Sequence, residues 1–138
     1  MRVALSAVVA GLCLSFGGVP AVALAAPTTA EPVERPLSST EILFGDRADI
    51  VDTAPLGFDA WSRLDNGSGV RVYFVSGTPK CYGVHATTTE TDDAVTIRLQ
   101  EGLLPEAAGR RCTANAVLGA INVPLDTALG DRAVRVAS

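Results

Sequence analysis

His85 is the single histidine of the chain, so a Ser-His-Asp relay would have to be built on it. Ser62, Ser68 and Ser76 are the serines at hand, and none sits in a Gly-x-Ser-x-Gly nucleophile turn. A lone histidine in the alternating run Tyr82–Glu90 reads as a surface residue. Asp46, Asp49 and Asp52 recur every third position, with Asp59 beyond. Their oxygens suit calcium, yet the spacing is not the Asp-x-Asp-x-Asp-Gly loop that wraps one ion. A solvated loop or edge is the better reading. Glu90, Asp92 and Asp93 invite comparison with the carboxylate pair of a glycosidase. In a hairpin turn they would be exposed, with nothing to raise one pKa. Trp61 with Tyr73 and Tyr82 could stack on sugars, but a single tryptophan reads first as a core anchor.

The segment Glu101–Arg111 is the most suggestive loop. Leu103 and Leu104 read as exposed, Arg110 and Arg111 stand at its base, and Cys112 anchors it. A disulfide-tied loop of this kind is how secreted inhibitors present a segment to a protease. These four residues form the candidate partner-contact loop.

The elements that position these residues start after an export signal. Met1-Arg2 is a short basic region, Val3 to Phe16 is almost wholly apolar, and Gly17, Gly18 and Pro20 break any helix. Ala23-Leu24-Ala25 supplies small residues for cleavage after Ala25, the layout of a secretory signal peptide. An uncleaved anchor is the competing reading, since Val3–Ala26 is long enough to span a bilayer. The Gly-Gly-x-Pro interruption favours cleavage. Lipidation of Cys13 is disfavoured by Leu12 before it and by its place inside the apolar stretch. Cleavage removes Cys13 and Arg2, leaving two cysteines and taking the net charge from −4 to −5. Outside the cell an even pair reads as one disulfide, Cys81–Cys112. No Cys-x-x-Cys or histidine pair supports a metal or redox site, so no cofactor is expected.

A chain of 138 residues allows one domain. A pI near 4.8 excludes the clustered basic surface of a nucleic-acid binder. Residues 26–39, with three prolines and no apolar period, read as a flexible leader. Residues 40–138 then form a single β-rich domain. Its periodicity is two: Val70, Val72 and Phe74; Tyr82, Val84 and Ala86; Val95, Ile97 and Leu99; Ile121, Val123 and Leu125; Val134 and Val136. Asp65-Asn66-Gly67-Ser68-Gly69 is a hairpin signal, and Gly77-Thr78-Pro79, Thr91-Asp92-Asp93 and Leu129-Gly130-Asp131 are further turns. Pro124 predicts an edge or a bulge. Glu41–Phe44 and Asp59–Leu64 read as strands, with a helical turn near Leu56–Trp61 as the alternative. The fold class is all-β: a small antiparallel sandwich or partly open barrel with one disulfide.

Two stretches carry a family resemblance. Cys81-Tyr82-Gly83-Val84 is followed by Thr87-Thr88-Thr89-Glu90-Thr91-Asp92 and Val95-Thr96-Ile97-Arg98-Leu99. Cys112 is followed by Val123-Pro124-Leu125-Asp126 and Leu129-Gly130-Asp131-Arg132. Across about residues 60–137 this resembles small secreted or lipid-anchored proteins of actinobacteria. The resemblance implies an exported β-rich domain with one disulfide and no known reaction. The expectation is a secreted, monomeric, non-catalytic module. It would bind a protein or an envelope component and have no stable membrane insertion after cleavage. A protease inhibitor using 101–111 is the alternative.

Overall fold

The computed structural model describes residues 31–137, so the expected signal peptide, Cys13 and the first part of the leader lie outside the described residues. None of the helices among them is long and apolar enough to cross a membrane. Among the described residues, nine strands form a two-sheet sandwich: β1 Val33–Glu34, β2 Ile42–Phe44, β3 Val51–Leu56, β4 Ala60–Arg63, β5 Gly69–Ser76, β6 Tyr82–Glu90, β7 Ala94–Leu103, β8 Val117–Pro124 and β9 Ala133–Val136. One sheet has the order β1-β4-β5-β8-β2. In the other, β7 is the spine. β6 runs along one side of it, while β3 and β9 lie end to end along the other, opposite Leu99–Leu103 and Ala94–Ile97.

The all-β reading and the sandwich hold, but the sheets are mixed. β1–β4, β2–β8 and β7–β9 are parallel pairs. These short strands are not joined by hairpins, so no turn fixes their direction. The antiparallel pairs β4–β5 and β6–β7 are closed by the turns read in the sequence. Asn66 and Gly67 take φ of 55° and 71°, which is why those residue types stand there.

Period two becomes burial. Val70, Val72 and Phe74 of β5 and Ile121 and Val123 of β8 face Val84, Val95, Ile97 and Leu99 of the second sheet. Ile97, Leu99, Ile121 and Leu129 are among the side chains fully removed from water. Each contributes about 1.5–3 kcal/mol by burial. Trp61 is a core residue, as expected, and donates from Nε1 to Pro32 O at 3.3 Å. Tyr73 lies on the opposite face of the sheet, so the two rings form no sugar platform. Gly119 is required by packing: a Cβ would stand 2.6 Å from the Phe74 ring and 2.8 Å from the Phe44 ring. Pro124 is the last residue of β8, beyond the Ile42–Phe44 stretch that pairs with residues 119–121. Its missing N–H therefore costs no ladder bond on that side.

The disulfide is present. Cys81 and Cys112 have Cα atoms 6.0 Å apart, inside the usual bridging range. It closes a second apolar cluster of Ile50, Cys81, Leu104 and Ala107.

Part of the stretch read as leader is built into the domain. Pro32 is buried and β1 pairs with β4. Residues 35–41 then cross the outer face of the five-stranded sheet as a strap, from β1 at one edge to β2 at the other. The physical reason is a set of buried hydroxyls beneath it.

Candidate functional site

Alternation puts Ser62 of β4 and Arg71 and Tyr73 of β5 on the outer face of the five-stranded sheet. Ser62 and Tyr73 are buried nonetheless, because the strap lies on them. Ser62 Oγ is 2.8 Å from Tyr73 Oη, 2.7 Å from Arg35 O and 3.1 Å from Pro36 O. Each hydroxyl has one proton, so the directions follow. Tyr73 donates to Ser62, and Ser62 donates to the strap carbonyls. Tyr73 accepts from Ser38 N–H at 3.0 Å. Arg71 Nη1 donates to Ser38 O at 2.9 Å, and its Nε to Asn122 at 2.8 Å.

The strap carries two charges to the end of this face. The Arg35 guanidinium lies 3.5 Å from the Tyr73 ring centroid and donates from Nη2 to Glu41. The Ser38 hydroxyl and the Arg35 guanidinium hold the Glu41 carboxyl down at about 2, so it is ionised at any physiological pH. This pair walls a cleft of about 530 Å³, opposite Gly57, Phe58 and Asp59. Ala60, Tyr73, Val75 and Leu118 also line it.

Val75 and Leu118 are cross-strand partners, 55% and 65% exposed. They stand clear because both neighbouring strands fall short: β4 begins at Ala60, opposite Tyr73, and β2 begins at Ile42, opposite Gly119. Leu43, also more than half exposed, follows on the same face opposite Ala120. The bond from Leu64 N to Gly69 O fixes which β5 groups face β4. By that alternation the N–H and C=O of Val75 point to the side where β4 no longer runs. Among the described residues no strand pairs with Val75 on that side.

The expected contact loop is differently arranged. Leu103 is the last residue of β7 and half-buried, and Leu104 is buried at 6% in the cluster beneath the disulfide. Of the two adjacent leucines, Leu104 is the one that fills this cluster. Arg110 and Arg111 are exposed, beyond the short 3-10 turn Pro105–Ala107. Of the two leucines, Leu104 is therefore turned inward, away from solvent. Arg47 secures it from outside, donating to Asp49 and to Glu106 at 2.7–3.0 Å.

The catalytic constellations weighed in the sequence do not assemble. His85 Nδ1 lies 3.0 Å from Asp46 Oδ1, a pairing across 39 residues that no local spacing announces. The Ser76 hydroxyl is bonded to Glu101, and that of Ser62 is committed to the strap. Glu90 is not an exposed turn residue. It accepts from Asp126 N at 2.7 Å and from Arg132 Nη2 at 2.9 Å, and that amide and guanidinium lower its pKa. A carboxylate held ionised cannot act as a general acid. The aspartates disperse: Asp46 on His85, Asp49 on Arg47, Asp52 at a register shift in β3, Asp59 at the cleft wall. Among the described residues no group of three or more potential metal ligands gathers. Arg35 and Glu41 were missed as site residues because a proline-rich stretch with no apolar period gives no sign of where it packs. No family model matches the chain, and no curated protein or solved structure matches it either.

Proposed function

We propose that the domain is a non-catalytic binding module of the extracellular or envelope compartment, and that it takes an extended polypeptide segment of a partner protein. The observation that carries this reading is the exposed Val75–Leu118 pair at the mouth of the cleft, beside a stretch of β5 with an open backbone edge. Paired large apolar side chains on an exposed strand end are a typical recognition feature. An added strand gains main-chain hydrogen bonds from such an edge and side-chain selectivity from the adjoining pocket. The fixed Arg35–Glu41 pair lends the rim polarity without a net charge. The inhibitor reading has the burial of Leu104 against it.

Selection from a peptide library displayed against the purified protein tests the proposal, with Leu118→Glu as the counter-selection. Recovered peptides should alternate apolar and polar residues, shift the amide resonances of Val75 and Leu118, and lose at least tenfold in affinity against Leu118→Glu. Peptides that bind equally well to that variant, or that map to another face, would refute the reading.

A further inference from the structure

Three charged residues line the cleft beside Val75, and their charges do not balance. Arg35 and Glu41 spend theirs on each other. Both oxygens of Glu41 are engaged, Oε1 by Arg35 Nη2 and Oε2 by the Thr40 hydroxyl at 3.2 Å, and its side chain is only 9% exposed. Asp59, on the facing wall, is exposed. Its backbone C=O accepts from Val33 N–H at 2.9 Å, but among the described residues no hydrogen bond or ion pair engages its carboxylate. One uncompensated negative charge is left in the cleft. The rest of the lining is largely apolar, with Phe58, Ala60, Phe74, Val75 and Leu118. At about 530 Å³ the space admits a long side chain. An aliphatic side chain there would cover the apolar lining but take water from Asp59 and return nothing for it. An acidic one would be repelled. Lysine and arginine carry both parts that the cleft asks for, a methylene stem that lies along apolar surface and a cationic head that stays at the polar end.

We propose that the cleft selects a lysine or arginine of the partner's extended segment, with the stem along the apolar lining and the head at Asp59. The inference rests on the peptide-binding reading of the β5 edge and names the chemistry of its ligand. The basic residue stands on the face of the segment that looks into the cleft, the face that also carries the apolar residue covering Val75 and Leu118. The charge of the whole chain acts in the same direction. A net charge of −4 attracts a cationic segment from a distance and speeds its encounter. Arg35 does not oppose it. Its charge is met by Glu41, and its guanidinium is stacked on the Tyr73 ring at 3.5 Å, which holds it against the strap's wall of the cleft.

Amide NMR titration of the purified protein tests this, because it reads affinity and location together. The probes are blocked peptides of alternating valine and threonine in which one central valine is replaced by lysine, norleucine or glutamate. The lysine peptide should bind about fivefold tighter than the norleucine peptide, the upper range for a partly exposed ion pair, and the glutamate peptide should bind weakest. The preference should shrink as salt rises from about 0.05 to 0.5 M. Asp59→Asn should abolish it, and Asp59→Lys should turn it toward glutamate. Both variants keep the backbone bond to Val33, and the side chain they change is exposed, so the fold is retained. Lysine and norleucine peptides that shift the amides of Val75 and Leu118 with equal affinity overturn this inference and leave the peptide-binding reading standing. A lysine preference that survives Asp59→Asn overturns it as well. If none of the peptides shifts those amides, the peptide-binding reading falls and this inference falls with it.

Discussion

Removing the Cys81–Cys112 bridge should cost this domain a large part of its stability, and two variants separate the reasons. The bond closes a loop with a sequence separation of 31. In the chain-entropy model a loop of that length removes about 12 cal/mol/K from the unfolded ensemble, or about 3.7 kcal/mol at 25 °C. Cys81 is buried against Ile50, Leu104 and Ala107, whereas Cys112 sits at the margin of that cluster. Cys112→Ala therefore opens the loop while leaving the Cys81 sulfur in place, and should lose about 3–4 kcal/mol. Cys81→Ala/Cys112→Ala also empties the sulfur's site and should lose about 1 kcal/mol more. Urea unfolding followed by tryptophan fluorescence measures both, since Trp61 is in the core. The m-value should rise in both variants, because an uncrosslinked unfolded chain exposes more surface. A loss below about 1 kcal/mol for Cys112→Ala would refute the entropic argument. An unchanged midpoint of the wild type in reductant would refute it equally.

Four further outcomes follow from the same geometry. Gly119→Ala drives a methyl into the rings of Phe44 and Phe74 and should cost about 1–3 kcal/mol in urea unfolding, as overpacking does. Ser62→Ala strands the Tyr73 hydroxyl proton and the carbonyls of Arg35 and Pro36, and should cost about 1–3 kcal/mol by the same measurement. Glu41 is held at about 2 against an ordinary 4.5, so its contribution is complete above the ordinary value and is lost as pH falls from there toward 2. The urea midpoint between pH 5 and 2 should accordingly fall less steeply in Glu41→Gln, and parallel curves would contradict the ion pair. His85→Ala removes only a partly exposed contact with Asp46 and should change stability and binding by less than about 1 kcal/mol. A several-hundredfold loss of function in a folded His85→Ala protein would instead mark the histidine as chemical.

The legible part of this fold was the part made by neighbours. β5, β6 and β7 alternate apolar and polar residues over eight to ten positions and are joined or bounded by Gly, Asn and Asp turns, so both strand and direction can be read. β3 could not be read. Its residues Val-Asp-Thr-Ala-Pro-Leu are mostly exposed, and only the backbone edge of β7 makes them a strand. The parallel pairs leave no trace, because parallel partners are not joined by a turn and their contacts are non-local. The disulfide was legible by counting. The cleft was not: its floor comes from one hairpin sheet, while its charged wall comes from a segment whose prolines carry no period. Leu104 was misread for a related reason, since a leucine just after a strand looks the same whether it faces water or a second core.

The strap connects that unreadable segment to the proposed binding site. Prolines at 32 and 36 restrict the unfolded chain, so fixing residues 32–41 across the sheet loses less entropy than ordering a glycine-rich linker would. The Tyr73–Ser62 hydroxyl pair then sets where the strap crosses, and so where the face stays open. What stays open is the Val75–Leu118 row. Covering two such side chains gains about 3–6 kcal/mol at the usual burial values. Association alone costs about 4–15 kcal/mol in lost translation and rotation. A partner that touched only those two side chains would therefore bind weakly or not at all. Measurable affinity requires a ligand that also takes up the open backbone of Val75 and fills the cleft bounded by Arg35, Glu41 and Asp59. An extended peptide with an apolar residue at alternate positions meets both demands at once, and a flat surface meets neither.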